Sequence, residues 1–401
     1  MSNEQMDVLI VGGGLVGCSL AIALAESRWK VGLVESQAGG QAAPPSFDER
    51  NLALARASLN ALGAMGVLDR LPRSPAAIEQ IHISRQGDLG VVRLAASDYG
   101  VDALGGVVMA RDLGLALQAR CEQLGTPRFA PATLQAAEPI ESGWRVTLIT
   151  PQGEQQVRTR LLVGADGTDS RVRQALDIGV QTQDYQQSLI VCSVQSSRKP
   201  DGRAWERFSS TGPVALLPRN DGRFGAVCGV ASHQLAEQMK LDDQDYLEYL
   251  QQRFGWRAGR FLAVGKRVAY PLRATLAERL LGPRAVLVGN AAQTVHPLGA
   301  QGFNLGLRDA LSLAECLAET DDPGSESMLE RYVERRRQDR ALTLDFSHGL
   351  AQLTAREGDA MHAGRSLALL LLERSVALKA RMAAGAMGFR GQVPALARAA
   401  R

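Results

Sequence analysis

Cysteine is scarce in this chain. Five occur in 401 residues, Cys18, Cys121, Cys192, Cys228 and Cys316, none in a C-x-x-C pair. That spacing excludes a zinc ligand set and a disulfide framework, and a reducing, cytoplasmic setting is expected. Long apolar runs are missing as well. None approaches the ~20 residues of a bilayer span, and polar Met1–Gln5 leads directly into a strand-like segment, leaving no room for a signal peptide. Aromatic residues make up 5% and the net charge is only +3, with no basic-aromatic stripe, which excludes nucleic acid as a partner. Of the five histidines, His82, His233, His348 and His362 fall in no motif and read as surface or packing residues.

What is present is a globular composition, 45% hydrophobic and 22% charged, long enough to bury a large core in two or three subdomains. The most informative stretch is Val286–Asp309. Ala285–Val288 suits a buried parallel strand, and Gly289, Gly299, Gly302 and Gly306 let backbone approach a ligand without Cβ contact. Leu305 onward is expected to be helical, so free N–H groups and the positive helix end face the loop. An anion or an electron-rich ring belongs there.

A matching unit opens the chain. Asp7–Val11 reads as a strand, Gly12-Gly13-Gly14-Leu15-Val16-Gly17 satisfies G-x-G-x-x-G, and Cys18–Ser27 continues as a helix. Lys30–Val34 is a second strand ending in Glu35, where a carboxylate can accept hydrogen bonds from an adenosine ribose. Gly12, Gly14, Gly17 and Glu35 are therefore dinucleotide-binding candidates. Glu35 would repel a ribose 2′-phosphate, which argues against NADP in this particular site.

Other segments complete the expected organisation. Phe47–Gly66 is helical in period and carries Asp48-Glu49-Arg50; Gly106–Leu124 gives a short strand and then a helix containing Arg111. Either arginine can neutralise a pyrophosphate or bond a ribityl chain. Trp144–Thr150 and Val157–Val163 read as strands, the second ending in Gly164-Ala165-Asp166-Gly167, where Asp166 can face a ligand hydroxyl and Ser170 can cap the next helix. Between Ser188 and Arg273 alternating strands form a largely antiparallel sheet inserted in the first domain, whose exposed face and the Val286–Asp309 loop would enclose an apolar pocket. Ala314–Arg340 reads as helix, with Glu334–Arg340 a solvated charged face, and Asp345–Arg401 as a helix-like tail that packs on the core, meets another copy, or lies on a membrane surface.

Three of these segments coincide with a known set, over about residues 6 to 345. The chain resembles the group A FAD-dependent aromatic monooxygenases: Gly12–Gly17 with Glu35 matches their ADP-binding motif, Gly164-Ala165-Asp166-Gly167 their D-G motif, and Gly289–Leu307 their G-D motif. Phe47-Asp48-Glu49-Arg50, Asn290–Pro297 and Gln301–Gly306 are similar to the ubiquinone-biosynthesis hydroxylases, nearest to the 2-polyprenyl-6-methoxyphenol hydroxylase type, which like this chain carries Asn290 and Gln293 where most relatives have Asp and His. Asn290 can still bond ribityl hydroxyls, without charge.

The resemblance implies an α/β fold (α+β overall): a Rossmann-like FAD-binding domain (1–75, 100–180 and 275–345), an inserted antiparallel β-sheet substrate domain (76–99 and 181–274) and a C-terminal helical segment (346–401). It implies FAD held by Gly12, Gly14, Gly17, Glu35, Arg50, Arg111, Asp166, Gly167, Asn290, Gly302, Phe303 and Asn304, with His296 and Pro297 beside the flavin ring. His296 is either a general base or a loop-positioning residue. Such enzymes reduce FAD with NAD(P)H, activate O2 at flavin C4a and hydroxylate a phenol, here prenylated. Implied partners are that phenol, O2, a ubiquinone-biosynthesis complex, a peripheral inner-membrane contact and a second copy. The rival readings are another ubiquinone-pathway ring hydroxylase of the same family and a flavin-binding accessory subunit without catalysis.

Overall fold

Glu4–Val11 is buried along its second half because it lies mid-sheet, and its run of branched apolar residues suits burial on both faces. In the computed structural model, which describes residues 4–38, 50–295, 301–355 and 358–398, this strand pairs in parallel with Gly153–Gly164 on one side and Val31–Val34 on the other. Arg128–Phe129 and Ala285–Leu287 extend the parallel set outward. Helices Leu15–Ala23, Ala110–Gln123 and Gln301–Ala318 cover one face around Ile10, Leu113, Leu161 and Leu313. Thr133–Ile140 and Gly143–Thr150 continue antiparallel from Gly153–Gly164 and enclose a second core around Trp144, Val146 and Leu162.

A nine-stranded sheet, mostly antiparallel, is centred on Val180–Ser196, which pairs with Phe224–Ala231 and Val268–Ala277. Helix Asp243–Phe254 closes one face over Tyr246, Leu250 and Phe254. Its signal was readable: Asp242 caps the first turn by accepting from the Asp245 N–H, and those apolar residues recur every four positions. The edge hairpin Gln80–Arg85 and Val92–Ala95 is covered by the C-terminal helices Asp359–Arg374 and Val376–Ala386. Ala76–Ile78 lies outside this sheet and pairs with Gly105–Met109.

Four expectations change. Within Phe47–Gly66, Asn51–Ala55 is a strand paired antiparallel with Gly105–Met109 and the helix is only Arg56–Ala64; Leu52 and Leu54 fit either period, and strand pairing decides. Phe47, Asp48 and Glu49 lie outside the described residues. The helix after the glycine loop is already formed at Gln301, so the Leu305 N–H is internal and Gly302 and Gly306 belong to the helix. Ala314–Arg340 is interrupted before Glu326, where Asp322 accepts from the Gly324 N–H beside Pro323. The Glu334–Arg340 run is solvated only in part: Glu334 and Arg337 form an exposed pair, but Arg336 and Asp339 are wholly buried. Helical spacing turns 336, 339 and 343 inward against the Gln301–Ala318 helix, which supplies Arg308 and Asp309 as partners.

Candidate active site

The three glycine loops meet at the carboxyl ends of neighbouring parallel strands. Val11 and Gly164 are in register, the Ala165 N–H donates to the Val11 carbonyl (2.8 Å), and the Val288 N–H donates to the Gly164 carbonyl (2.9 Å). Glycine is required by the contact distances. A Cβ at Gly12, whose φ is +111°, would lie 2.4 Å from the Ala165 oxygen, and one at Gly17 would lie 1.8 Å from the Gly12 oxygen. Gly289 and Gly306 both face Val16 of the first helix, where added Cβ atoms would fall at 3.0 and 2.7 Å. Glu35 extends over Gly13, its carboxylate accepting from the Gln37 N–H at 2.8 Å.

The Asp166 loop is tied internally and to the third loop. Its carboxylate accepts the Arg171 N–H (2.7 Å), the Val172 N–H (3.1 Å) and the Ser170 hydroxyl, while Ser170 caps the following helix. Thr168 and Thr294 share a hydroxyl hydrogen bond at 2.8 Å, and buried Arg173 donates to both the Ala291 and Thr168 carbonyls. Gln293–Thr294 then pairs with Val268–Ala277, so this loop also joins the nine-stranded sheet.

Behind the third loop lies a buried ionic network. Asp309 accepts from the Gly289 N–H (3.2 Å), Gln293 Nε2 (2.7 Å) and Arg336 Nε (2.8 Å); Asp339 accepts from Arg308 Nε (2.7 Å) and Arg336 Nη1 (2.8 Å). Arg340 Nε donates to the Gln293 carbonyl at 2.7 Å. Burial opposes charge on Asp339, but Arg308 and Arg336 outweigh it and hold the carboxyl below its usual range. Burial likewise opposes the Arg336 cation, yet Asp309 and Asp339 hold its proton more firmly than usual.

Arg50 and Arg111 come together although they are distant in sequence, because Asn51 pairs with Met109 and the Ala110 N–H donates to the Arg50 carbonyl. The Arg50 guanidinium stacks on Tyr270 of the nine-stranded sheet, 4.8 Å from the ring centroid. Asn290 is exposed. Asn304 is buried and braces other backbone: its carboxamide oxygen accepts from the Ala55 N–H (2.9 Å) and the Ser58 hydroxyl (2.7 Å), and its NH2 donates to the Ala53 carbonyl. Phe303 packs on the main core, and a Cβ at Gly302 would meet nothing within 4 Å among the described residues. His296 and Pro297 lie outside the described residues.

Residues 5–347 match the family model described as an FAD binding domain. The chain is 34% identical over 392 residues to the ubiquinone hydroxylase UbiL of Rhodospirillum rubrum, covering 96% of this chain and 90% of that protein. It is 29% identical to the 3-demethoxyubiquinol 3-hydroxylase of Escherichia coli K12, covering 97% and 100%. This chain belongs to the FAD-dependent ubiquinone hydroxylase family. The fold agrees with p-nitrophenol 4-monooxygenase PnpA from Pseudomonas putida DLL-E4 (TM-score 0.79, 18% identity, 97% and 99% covered) and with pqsL, a probable FAD-dependent monooxygenase of Pseudomonas aeruginosa (TM-score 0.74, 23% identity, 90% and 99% covered).

As a member of this family of monooxygenases, the chain uses FAD as its cofactor, and its residues fit that group. Among the described residues a Cβ at Gly14 would meet nothing within 4 Å and the Leu15–Ala23 helix has no side-chain cap, which fits its first turn to a pyrophosphate. The Glu35 side chain lies against Gly13 at the start of the same loop. Sequence reasoning missed Arg173, the Thr168–Thr294 bond and the Asp309 network. Asp309 closes the glycine segment in sequence, but its partners Arg336 and Gln293 are made by tertiary packing and leave no local pattern.

Proposed function

We propose that this enzyme hydroxylates a prenylated phenol on the route to ubiquinone, with 2-polyprenyl-6-methoxyphenol as substrate and NAD(P)H and O2 consumed. The observation that carries the reading is the convergence of all three glycine loops on the first helix, together with the ubiquinone hydroxylase relatives. Bound FAD supplies hydride acceptance and oxygen activation. The chain supplies position and environment. Gly12, Gly14 and Gly17 leave space for the pyrophosphate, Glu35 accepts from the ribose, and Arg50 with Arg111 offset the phosphate charge. Asn290 offers a neutral carboxamide to the ribityl chain, and the Gln301-Gly302-Phe303 turn presents the positive helix end to the ring. His296 and Pro297 line the ring, with His296 holding the loop or taking the phenol proton.

The division at residues 76–99 and 181–274 assigns the nine-stranded sheet to substrate. Val191 and Val227 lie on its face opposite the Tyr246 core and are half-buried, an apolar wall that keeps water from the reacting ring. A prenyl tail calls for peripheral contact with a membrane, and assembly with other ubiquinone enzymes or a second copy belongs to the same reading. The test has two arms. Anaerobic NAD(P)H bleaches the purified yellow protein, and a deletion strain accumulates the unhydroxylated 2-polyprenyl-6-methoxyphenol. A colourless protein releasing no flavin on denaturation overturns the FAD reading; accumulation of a different ring intermediate overturns the substrate assignment.

A further inference from the structure

Helix Asp359–Arg374 meets the hairpin it covers with both apolar and charged side chains, Leu369 and Leu372 packing on the Val92 and Leu94 core. Its inward side carries charge: Arg365 Nε donates to the fully buried Asp88 carboxylate at 2.8 Å, His362 bonds the same carboxylate, and Glu373 accepts from the Arg93 N–H at 2.9 Å. Its outward side carries leucines. Leu367, Leu370 and Leu371 follow one another at helical spacing on one stripe, and exposed Arg374 ends it. The next helix, Val376–Ala386, follows after one residue and adds exposed Val376, Leu378 and Arg381. Leu89 joins it from the hairpin turn, since its N–H donates to Ser366 Oγ at 2.9 Å and Gly90 abuts Leu369 and Leu370. These six apolar side chains are between 46% and 83% exposed.

A cluster of exposed apolar side chains of this kind marks a contact, because scattered leucines are ordinary but a stripe on one helix is not. The charge around it selects the occupant. From residue 359 to 386 the acids are Asp359, in the first helical turn, and the inward Glu373, whereas Arg374 and Arg381 stand beside the leucines. A second copy of this face would bring the same excess of cations to the contact, whereas an anionic surface complements it. Among the described residues no helix is long and apolar enough to cross a membrane, so the surface lies on a bilayer and does not span it.

We propose that this face docks on an anionic lipid bilayer, with Leu89, Leu367, Leu370, Leu371, Val376 and Leu378 entering the headgroup boundary and Arg374 and Arg381 meeting lipid phosphates. Its use, though not its geometry, rests on the prenylated-substrate reading. The test is co-sedimentation of the full-length FAD-loaded protein with substrate-free vesicles, of phosphatidylcholine alone or with phosphatidylglycerol. Wild type partitions onto the anionic vesicles and much less onto the neutral ones. L367E/L371E abolishes partitioning, and R374A/R381A lowers it about five-fold per charge removed and weakens its salt dependence.

Flavin absorbance confirms that each variant is folded. Wild type remaining in the supernatant overturns the proposal, as does L367E/L371E binding like wild type. So does sedimentation velocity showing a wild-type dimer that L367E/L371E dissociates, with no vesicle binding by either. Turnover of a tail-free phenol in solution separately tests the ring chemistry, so the two readings fail independently.

Discussion

Gln293 and Asp309 are locked together at 2.7 Å, amide to carboxylate, and the other end of the same carboxamide accepts from Arg340 at 2.7 Å. Gln293 thus spans two helices from a position three residues past Asn290, and it holds the turn whose Gly289 N–H also reaches Asp309. Q293A removes both bonds and R340M only one. Losing a buried charge-assisted bond costs about 1.5–3 kcal/mol, so FAD affinity should fall ten-fold or more in Q293A and less in R340M. Titration of the apoprotein with FAD, followed by flavin fluorescence, measures it; wild-type affinity in Q293A would show the bonds to be irrelevant to the cofactor.

The first loop permits a contrast between two glycines. In Gly12→Ala the new Cβ meets backbone at 2.4 Å with φ at +111°, so the variant should express poorly and without colour. In Gly14→Ala the Cβ meets no atom of the described residues within 4 Å. That variant should keep its thermal midpoint as apoprotein and lose FAD affinity, because the space filled is the ligand's. Calorimetry of apoprotein beside flavin titration separates the two outcomes.

Arg336 sits between Asp309 and Asp339 with its side chain fully buried, whereas Arg337, one residue on, makes an exposed pair with Glu334. Arg336→Met leaves two buried carboxylates short of a cation and should destabilise by about 3–5 kcal/mol. Arg337→Ala should cost under about 1 kcal/mol. Urea unfolding of both variants checks the difference.

His82 is stacked on Trp205 at 4.5 Å between centroids, and burial, reinforced by Arg257 and Arg93, lowers its pKa from 6.5 to about 4. The unfolded chain takes up a proton near pH 6.5 and the folded chain only near pH 4. The associated stability is therefore complete above pH 6.5 and is lost as pH falls toward 4, by roughly 2–3 kcal/mol. The difference in unfolding free energy between wild type and His82→Phe should shrink over that window; a constant difference would mean His82 does not titrate there.

The glycine loops were legible because backbone approach at Gly12 and Gly17 admits no other residue, and a strand-glycine-helix order is local. The place of Glu35, at the end of the second strand and against Gly13, follows from the same local order. The strand Asn51–Ala55 was not, since its pairing partner Gly105–Met109 lies far along the chain. Arg336 and Asp339 looked solvated because charge alone reports exposure until a facing helix provides counter-charges. Asn304, read from its motif as a cofactor residue, also bonds Ala53, Ala55 and Ser58 through its carboxamide, and only the fold reveals those partners.

Val16 fits between Gly289 and Gly306, and Ala285–Leu287 supplies the neighbour that Gly153–Gly164 needs. A nascent chain emerging from the ribosome therefore holds its first glycine turn, and an unpaired sheet edge, long before the segment that completes either has been translated. Such an edge invites association with other chains, which makes the interval before release the stage at which this enzyme depends most on protection.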